Sequence, residues 1–256
     1  MGITGQPLAG KAALITGGSR GIGAGITRKL AAWGCDVCIN FVDHVQQANE
    51  LRAELTAAGA RAHLLRADLA EPEQIASLFA AYREHYDHLD ILVHNAGAAV
   101  FRALSDATLA HWDYVQNVNA RSTLLLAQHA RPLMAGRRAR FITLTNSTTT
   151  RMVPRAGLFA AAKAALEQLT VYLAGELARD GIVVNCIRPG IVETEVVELR
   201  QDFAAELDAE RSRSPWGDRV TRPQDVGNVV ALLCLDEADW ICAETIDVDG
   251  GLDWWR

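Results

Sequence analysis

The sequence predicts a single α/β domain built on a doubly wound parallel sheet of about seven strands, with helices on both faces. Three observations predict it. Short, nearly unbroken apolar runs alternate with longer helical patterns along almost the whole chain. Strands that are apolar on both sides are those covered on both faces, the mark of a parallel sheet between helical layers. No Pro/Ser-rich linker, internal repeat or low-complexity tract interrupts the 256 residues, so 1–256 reads as one domain. Right-handed crossovers then wind the sheet in both directions.

Taken in order, residues 12–16 (AALIT) form a buried strand ending in glycines, and 22–33 carry apolar residues at helical spacing until Gly34 stops them. A strand at 37–41 and a helix at 46–58, closed by Gly59, repeat the unit. Next come a strand at 62–66 and a helix that starts at Glu71-Pro72 and reaches about Tyr86, then a strand at 91–94 and a helix over 109–130. A strand at 140–145 leads to the longest helix, 156–180; residues 181–187 form a strand cut by Arg188-Pro189-Gly190. A helix at 223–235 and a strand at 244–248 complete the series. The exception is 193–218, rich in charge and without a sheet-building run, which reads as a lid over a site.

Composition excludes several classes. With 50% hydrophobic and 22% charged residues the chain is neither disordered nor collagen-like, and a net charge of −6 argues against a nucleic-acid partner. No apolar run has membrane-spanning length, and Met1–Gln6 lacks the basic and apolar segments of a secretory signal. Gln6 also stands where a myristoylation motif wants Ser or Thr. Five cysteines, an odd number, suit a reducing compartment, and a cytoplasmic protein is expected. Cys35 and Cys38 have CxxC spacing but fall on a strand, not at the helix start that activates a redox pair, and no metal site is expected.

Function is concentrated at the end of the first strand. Thr16-Gly17-Gly18-Ser19-Arg20-Gly21-Ile22-Gly23 turns from strand into helix. Glycines there let backbone approach a ligand closely, and the helix N-terminus supplies free N–H groups for a pyrophosphate. With Asn95-Ala96-Gly97 after the fourth strand, Arg188-Pro189-Gly190, Thr194 and the closing Asp249-Gly250-Gly251, the chain resembles the short-chain dehydrogenase/reductase family over nearly its whole length. That resemblance implies a Rossmann-type fold. It also implies that Gly17, Gly21 and Gly23, with Ser19 and Ile22 between them, wrap the pyrophosphate of a dinucleotide. Asp68 and Leu69 would contact adenine, Asn95, Ala96 and Gly97 would line the dinucleotide, and Pro189, Gly190 and Thr194 would face the nicotinamide carboxamide.

The choice of dinucleotide is a question of charge. An acid at the end of the second strand binds the ribose of NAD and repels a 2′-phosphate. That position reads as neutral Asn40, and Arg20 can pair with a phosphate, whereas Asp43 pulls the other way. NADP(H) is favoured over NAD(H).

Family members protonate a substrate oxygen with a tyrosine four residues before a lysine, assisted by a serine and by an asparagine of a water relay. The resemblance places these roles on Phe159, Lys163, Asn146 and Asn119. The lysine and the relay asparagine match; phenylalanine and asparagine stand where tyrosine and serine are expected. A phenyl ring cannot act as an acid, and such groups contribute about 10²–10⁴ in rate. Lys163 keeps its ribose-holding role. Asn146, within the hydroxyl-rich tract Thr145–Arg151, can orient a carbonyl, and Ser147 takes the serine role if the loop shifts by one residue.

Tyr172, thirteen residues along the helix, lies about 20 Å from Phe159 at the helical rise and is no substitute. His94 reads as packing. Glu193 and Glu195 are candidate acids at the root of the lid; Arg211, Arg213, Trp216, Phe101 and Met152 are candidate walls. The expected function is an NADP(H)-dependent oxidoreductase acting on a small organic molecule, such as an imine, an iminium ion or a conjugated double bond. A cyclase, dehydratase or isomerase on the same scaffold, or a non-catalytic nucleotide-binding protein, stays open. Excess apolar surface on the helices at 109–130 and 156–180 predicts a homotetramer, with a dimer next.

Overall fold

The structure is a computed structural model that describes residues 5–192, 201–217 and 219–252. Seven strands form one parallel sheet: β1 (Ala12–Thr16), β2 (Asp36–Phe41), β3 (Ala62–Arg66), β4 (Ile91–His94), β5 (Ala139–Leu144), β6 (Ile182–Pro189) and β7 (Thr245–Val248). Their spatial order is β3-β2-β1-β4-β5-β6-β7. Every neighbouring pair is parallel. The strand order reverses between β1 and β4, which opens a crevice beyond their carboxyl ends.

Strand alternation sorts side chains between two cores. Ala13 and Ile15 of β1 and Ile91 and Val93 of β4 join α1 (Gly21–Ala32), α2 (Val45–Ala57) and the late helix Pro223–Leu233 through Ile26, Leu30, Leu51, Leu55, Val226 and Val230. Leu14 and Leu92 point the other way. They meet α3 (Pro72–Arg83), α5 (Ser122–Met134) and α6 (Gly157–Leu177) through Ile75, Phe79, Leu126, Leu133, Leu173 and Leu177. The two-sided hydrophobic character of the strands is therefore used on both sides.

The helix expected at 109–130 is longer and is interrupted. It runs as α4 (Leu109–Gln116), a π-helical turn over Asn117–Arg121, and α5 to Met134. His94 accounts for the interruption. It is fully buried at the end of β4, with Nε2 3.1 Å from Ser122 Oγ and Nδ1 3.0 Å from Thr123 Oγ1. Those hydroxyls also donate to the carbonyls of Val118 and Asn119, so the wide turn is fastened to the sheet. Burial, and next the charge of Lys163, pushes His94 down to about 3, and the ring is neutral.

β6 continues through Arg188 and Pro189, two residues beyond the expected break. Cys35 and Cys38 are buried in the sheet as free thiols, and burial raises both, Cys38 to about 12. No helix among the described residues is long and apolar enough to cross a membrane. In the segment expected as a lid, the described part forms α7 (Gln201–Arg213). Residues 193–200 and 218, with the expectations placed on Glu193, Thr194 and Glu195, lie outside the described residues.

α1 and α8 (Pro223–Leu233) cross in backbone contact. A Cβ on Gly25 would stand 2.4 Å from the Pro223 oxygen, and one on Gly227 would stand 2.6 Å from the Gly25 oxygen. Neither neighbour is a side chain that can swing away. Gly227→Val is expected to destabilise the fold by about 1–3 kcal/mol, the usual cost of overpacking, read as a lower urea midpoint at unchanged slope.

Candidate functional site

Two clefts meet at the crossover. The first, about 440 Å³, is lined by Gly17, Ser19, Arg20, Gly21, Ile22, Gly23, Asn40, Asp68, Leu69, Asn95, Ala96 and Gly97, together with the 41–44 loop, Tyr114 and Val118. Its shape depends on glycine. Gly17 and Gly21 have φ of +58° and +50°, and a Cβ on Gly23 would stand 2.1 Å from the Gly17 oxygen. α1 begins at Gly21 without a side-chain cap or an acidic residue in its first turn, so its N–H groups and positive dipole end are left for an anion. Thr16 Oγ1 accepts from the N–H groups of Asn95 and Ala96, and Asn95 Nδ2 donates to the carbonyls of Thr16 and Gly17, locking the two loops together.

Asn40, expected at the cofactor site, lines this cleft and is also bonded within the protein. Its Oδ1 accepts from Gly17 N–H at 3.3 Å and its Nδ2 donates to the carbonyls of Leu65 and Ala67. It braces the glycine turn. The groups around that end of the cleft are Arg20, Asp43 and His44.

The second cleft, about 450 Å³, shares Arg20, Ile22, Asn95, Gly97 and Ala98 with the first and is continuous with it. It continues over Phe101, Leu144, Thr145, Asn146, Ser147, Thr148, Arg151, Val153, Phe159, Lys163, Pro189, Gly190, Ile191 and Val192. Lys163 is 3% exposed, so a solvated role is excluded. Its Nζ donates to the Leu144 carbonyl at 2.7 Å and lies 5.6 Å from the centre of the Phe159 ring. Burial lowers the amine to about 8, against smaller opposing effects of Cys186 and Glu167. Phe159 packs edge-on to Phe101, with ring centres 6.4 Å apart.

All four tyrosines of the sequence are placed, and none lines this second cleft. Tyr82 and Tyr86 pack under the sheet, Tyr114 borders the first cleft, and Tyr172 is 66% exposed.

Asn146 caps a short 3₁₀ turn, Ser147–Thr149, its Oδ1 accepting from Thr148 N and Oγ1. The amide NH₂ is the donor left to face the cleft. Ser147 also lines it, its Oγ accepting from Arg151 Nε at 3.2 Å. Asn119 lines neither cleft. It is buried in the π turn, where Nδ2 donates to the carbonyls of Ala98 and Val115 and Oδ1 has no partner among the described residues. Met152 is 86% exposed and forms no wall, and Trp216 instead donates to the Gly250 carbonyl. Arg211 and Arg213 lie outside the second cleft.

Two features escaped sequence reasoning. Glu167, one turn beyond Lys163, accepts from Thr145 and Thr149, each at 2.7 Å, and pairs with Arg188 at 3.2 Å. An acid at i+4 from Lys163 was the available signal. Arg151, besides its bond to Ser147, pairs with Glu210 of α7 at 2.7 Å. Nothing in the sequence links those two positions.

Fold and groove together define a Rossmann-type α/β protein, and similarity to known proteins narrows the class. The family model described as enoyl-(acyl carrier protein) reductase matches residues 17–253. A hydroxynaphthalene reductase-like protein, Arp2, of Metarhizium guizhouense is 34% identical over 97% of both chains. A short-chain dehydrogenase of Burkholderia cenocepacia, solved in complex with NADP, superposes with a TM-score of 0.88 at 36% identity, covering 96% of this chain and 99% of that one. The angucycline C-6 ketoreductase LanV with bound NADP gives 0.89 at 29% identity, covering 97% and 98%. The chain belongs to the short-chain dehydrogenase/reductase family of oxidoreductases.

The depressed lysine makes a signed prediction. The folded state holds the Lys163 proton less tightly than an unfolded chain does, so the charged amine costs stability fully below about pH 8. That cost fades as pH rises from there toward the ordinary lysine value near 10.5. The Tm of Lys163→Met minus that of the parent should therefore be most positive below pH 8 and decline between about pH 8 and 10.5 in thermal melts.

Proposed function

We propose that this protein is an NADP(H)-dependent oxidoreductase that acts on a small organic molecule without a tyrosine acid. The observation that carries the reading is the junction of the clefts. A glycine-turned anion groove runs into an apolar cleft at the amine of Lys163, with a phenyl ring where the family's phenol is expected.

The residues present fit a dinucleotide. Gly23 lets the glycine turn fold tightly against α1, since a Cβ there would meet the Gly17 oxygen at 2.1 Å, and the uncapped start of α1 offers donors to phosphate. Gly17, Ser19, Arg20, Gly21, Ile22 and Gly23 would hold the pyrophosphate and, through Arg20, a 2′-phosphate. Asp68 and Leu69 would border adenine, while Asn95, Ala96 and Gly97 line the middle. Lys163 would hold the ribose hydroxyls, and Pro189 and Gly190 would stand beside the carboxamide. Binding of NADP by the Burkholderia and LanV proteins supports the same cofactor here. When bound, NADP(H) supplies a hydride.

Ser147 and the Asn146 amide orient an acceptor oxygen or nitrogen by donating hydrogen bonds from the end of β5. Phe159 and Phe101 exclude water around the reacting atoms. A substrate that needs no proton at its heteroatom in the hydride step fits this set: an imine or iminium ion, or a conjugated double bond. The description of the matched family model as an enoyl reductase supports the latter.

NADPH should bind at least ten-fold more tightly than NADH in fluorescence titrations, and panels of imines and enones should yield turnover followed at the nicotinamide absorbance. Binding without any turnover overturns the catalytic reading. Phe159→Tyr combined with Asn146→Ser, which keeps a good cap for the 3₁₀ turn, should raise reduction of simple ketones by about 10²-fold or more.

We also propose a homotetramer. Leu109, Trp112, Leu124, Val171 and Tyr172 are exposed apolar residues on α4, α5 and α6. Light scattering should give the mass of four chains, and a single-chain mass would overturn the assignment.

A further inference from the structure

The second cleft is cationic where it meets its ligand. Among the described residues, the charged ones that line it are Arg20, Arg151 and Lys163. Arg20 and Lys163 serve the dinucleotide in the function proposed above. Arg151 does not. It stands after β5, in a lining that includes Phe101, Val153, Phe159, Ile191 and Val192.

In this structure the guanidinium is occupied by the protein's own acid. Arg151 Nη1 lies 2.7 Å from Glu210 Oε1, and the two side chains are 19% and 5% exposed. Glu210 arrives on α7, whose described side chains from 207 onward are exposed or half-buried except Leu207 and Glu210 itself. A carboxylate nearly removed from water at the rim of an apolar cleft marks the kind of group the arginine accepts. A second carboxylate that takes its place offers the guanidinium the same charge and the same acceptor oxygens. A neutral amide of the same shape offers no charge in exchange for that of Glu210. Arg151 Nε already donates to Ser147 Oγ, so an acid held there lies next to the hydroxyl that faces the reacting group.

We infer that Arg151 is a specificity-determining residue that receives the carboxylate of an apolar-bodied substrate in exchange for Glu210. This rests on the proposed function for the chemistry that follows binding, but the binding step stands alone.

Calorimetry with three acid and amide pairs tests it: benzoate and benzamide, trans-cinnamate and cinnamamide, 2-naphthoate and 2-naphthamide. Each pair is titrated into the protein with and without saturating NADPH. At least one acid should bind ten-fold or more tightly than its own amide. Arg151→Gln should bring that ratio to within two-fold, and Arg151→Lys should retain part of it. Glu210→Gln should tighten the acid at least three-fold, by removing its competitor, and leave the amide unchanged. The inference is overturned if no acid outbinds its amide, binding of none included, or if the preference survives in folded Arg151→Gln. If that variant fails to fold by circular dichroism, unchanged acid affinity in Glu210→Gln overturns it equally. Failure to bind NADPH would count against the proposed function alone, because the titrations without cofactor still read the carboxylate preference.

Discussion

A buried ammonium group governs the architecture of the site. Lys163 sits against Phe159 and donates to the Leu144 carbonyl, and burial lowers the amine to about 8. A charge in such a place needs fixed dipoles and counter-charges around it. Glu167, one helical turn on, supplies the counter-charge and does more. By bonding Thr145, Thr149 and Arg188, while Arg188 reaches Asp247 at 2.8 Å, it ties the ends of β5, β6 and β7 to α6. The floor of the second cleft, the turn that carries Asn146 and Ser147, and the position of the lysine are thus one assembly, in which no member shifts alone.

The opposite wall is set by a different buried group. His94 holds the first turn of α5 through two hydroxyls, and the helix widens into a π turn to satisfy it. That turn carries Asn119, whose unpartnered Oδ1 lies 3.0 Å from where a Cβ on Gly97 would be. Gly97 therefore lets the loop after β4 close over both Asn119 and the lysine, and the groove and the cleft join there. π turns recur at functional sites because they displace one residue from the regular ladder.

Properties carried by local periodicity were legible in the sequence. The strands announced themselves as short apolar runs, and Ile15 and Leu14 went to opposite cores as alternation requires. The glycine turn and Lys163 were legible because their chemistry depends on near neighbours in the chain. What was hidden depended on contacts between distant segments. The π turn answers a histidine 28 residues earlier. Asn40 was legible as the neutral residue at the end of β2, but the bonds of its amide to Gly17 and to the end of β3 were not. Arg151 belonged to a hydroxyl-rich tract until α7 brought Glu210 to it.

The field of the cleft bears on which acceptor suits a site without a phenol. An iminium ion needs no proton, but it brings a positive charge toward Arg20, Arg151 and Lys163, of which Arg151 is paired with Glu210 and Lys163 has Glu167 one turn away. A conjugated double bond next to a carbonyl arrives neutral, and when a hydride adds to carbon the negative charge develops on oxygen. Preorganised donors and cations stabilise charge of that sign without reorganising. Here Ser147 and the Asn146 amide stand at the end of β5, with the guanidinium of Arg151 bonded to the serine. The proton that completes such a reduction goes to carbon in a separate step, so it does not require a phenol at the oxygen. Of the two substrate classes proposed above, the donors at the end of β5 therefore suit the conjugate acceptor better.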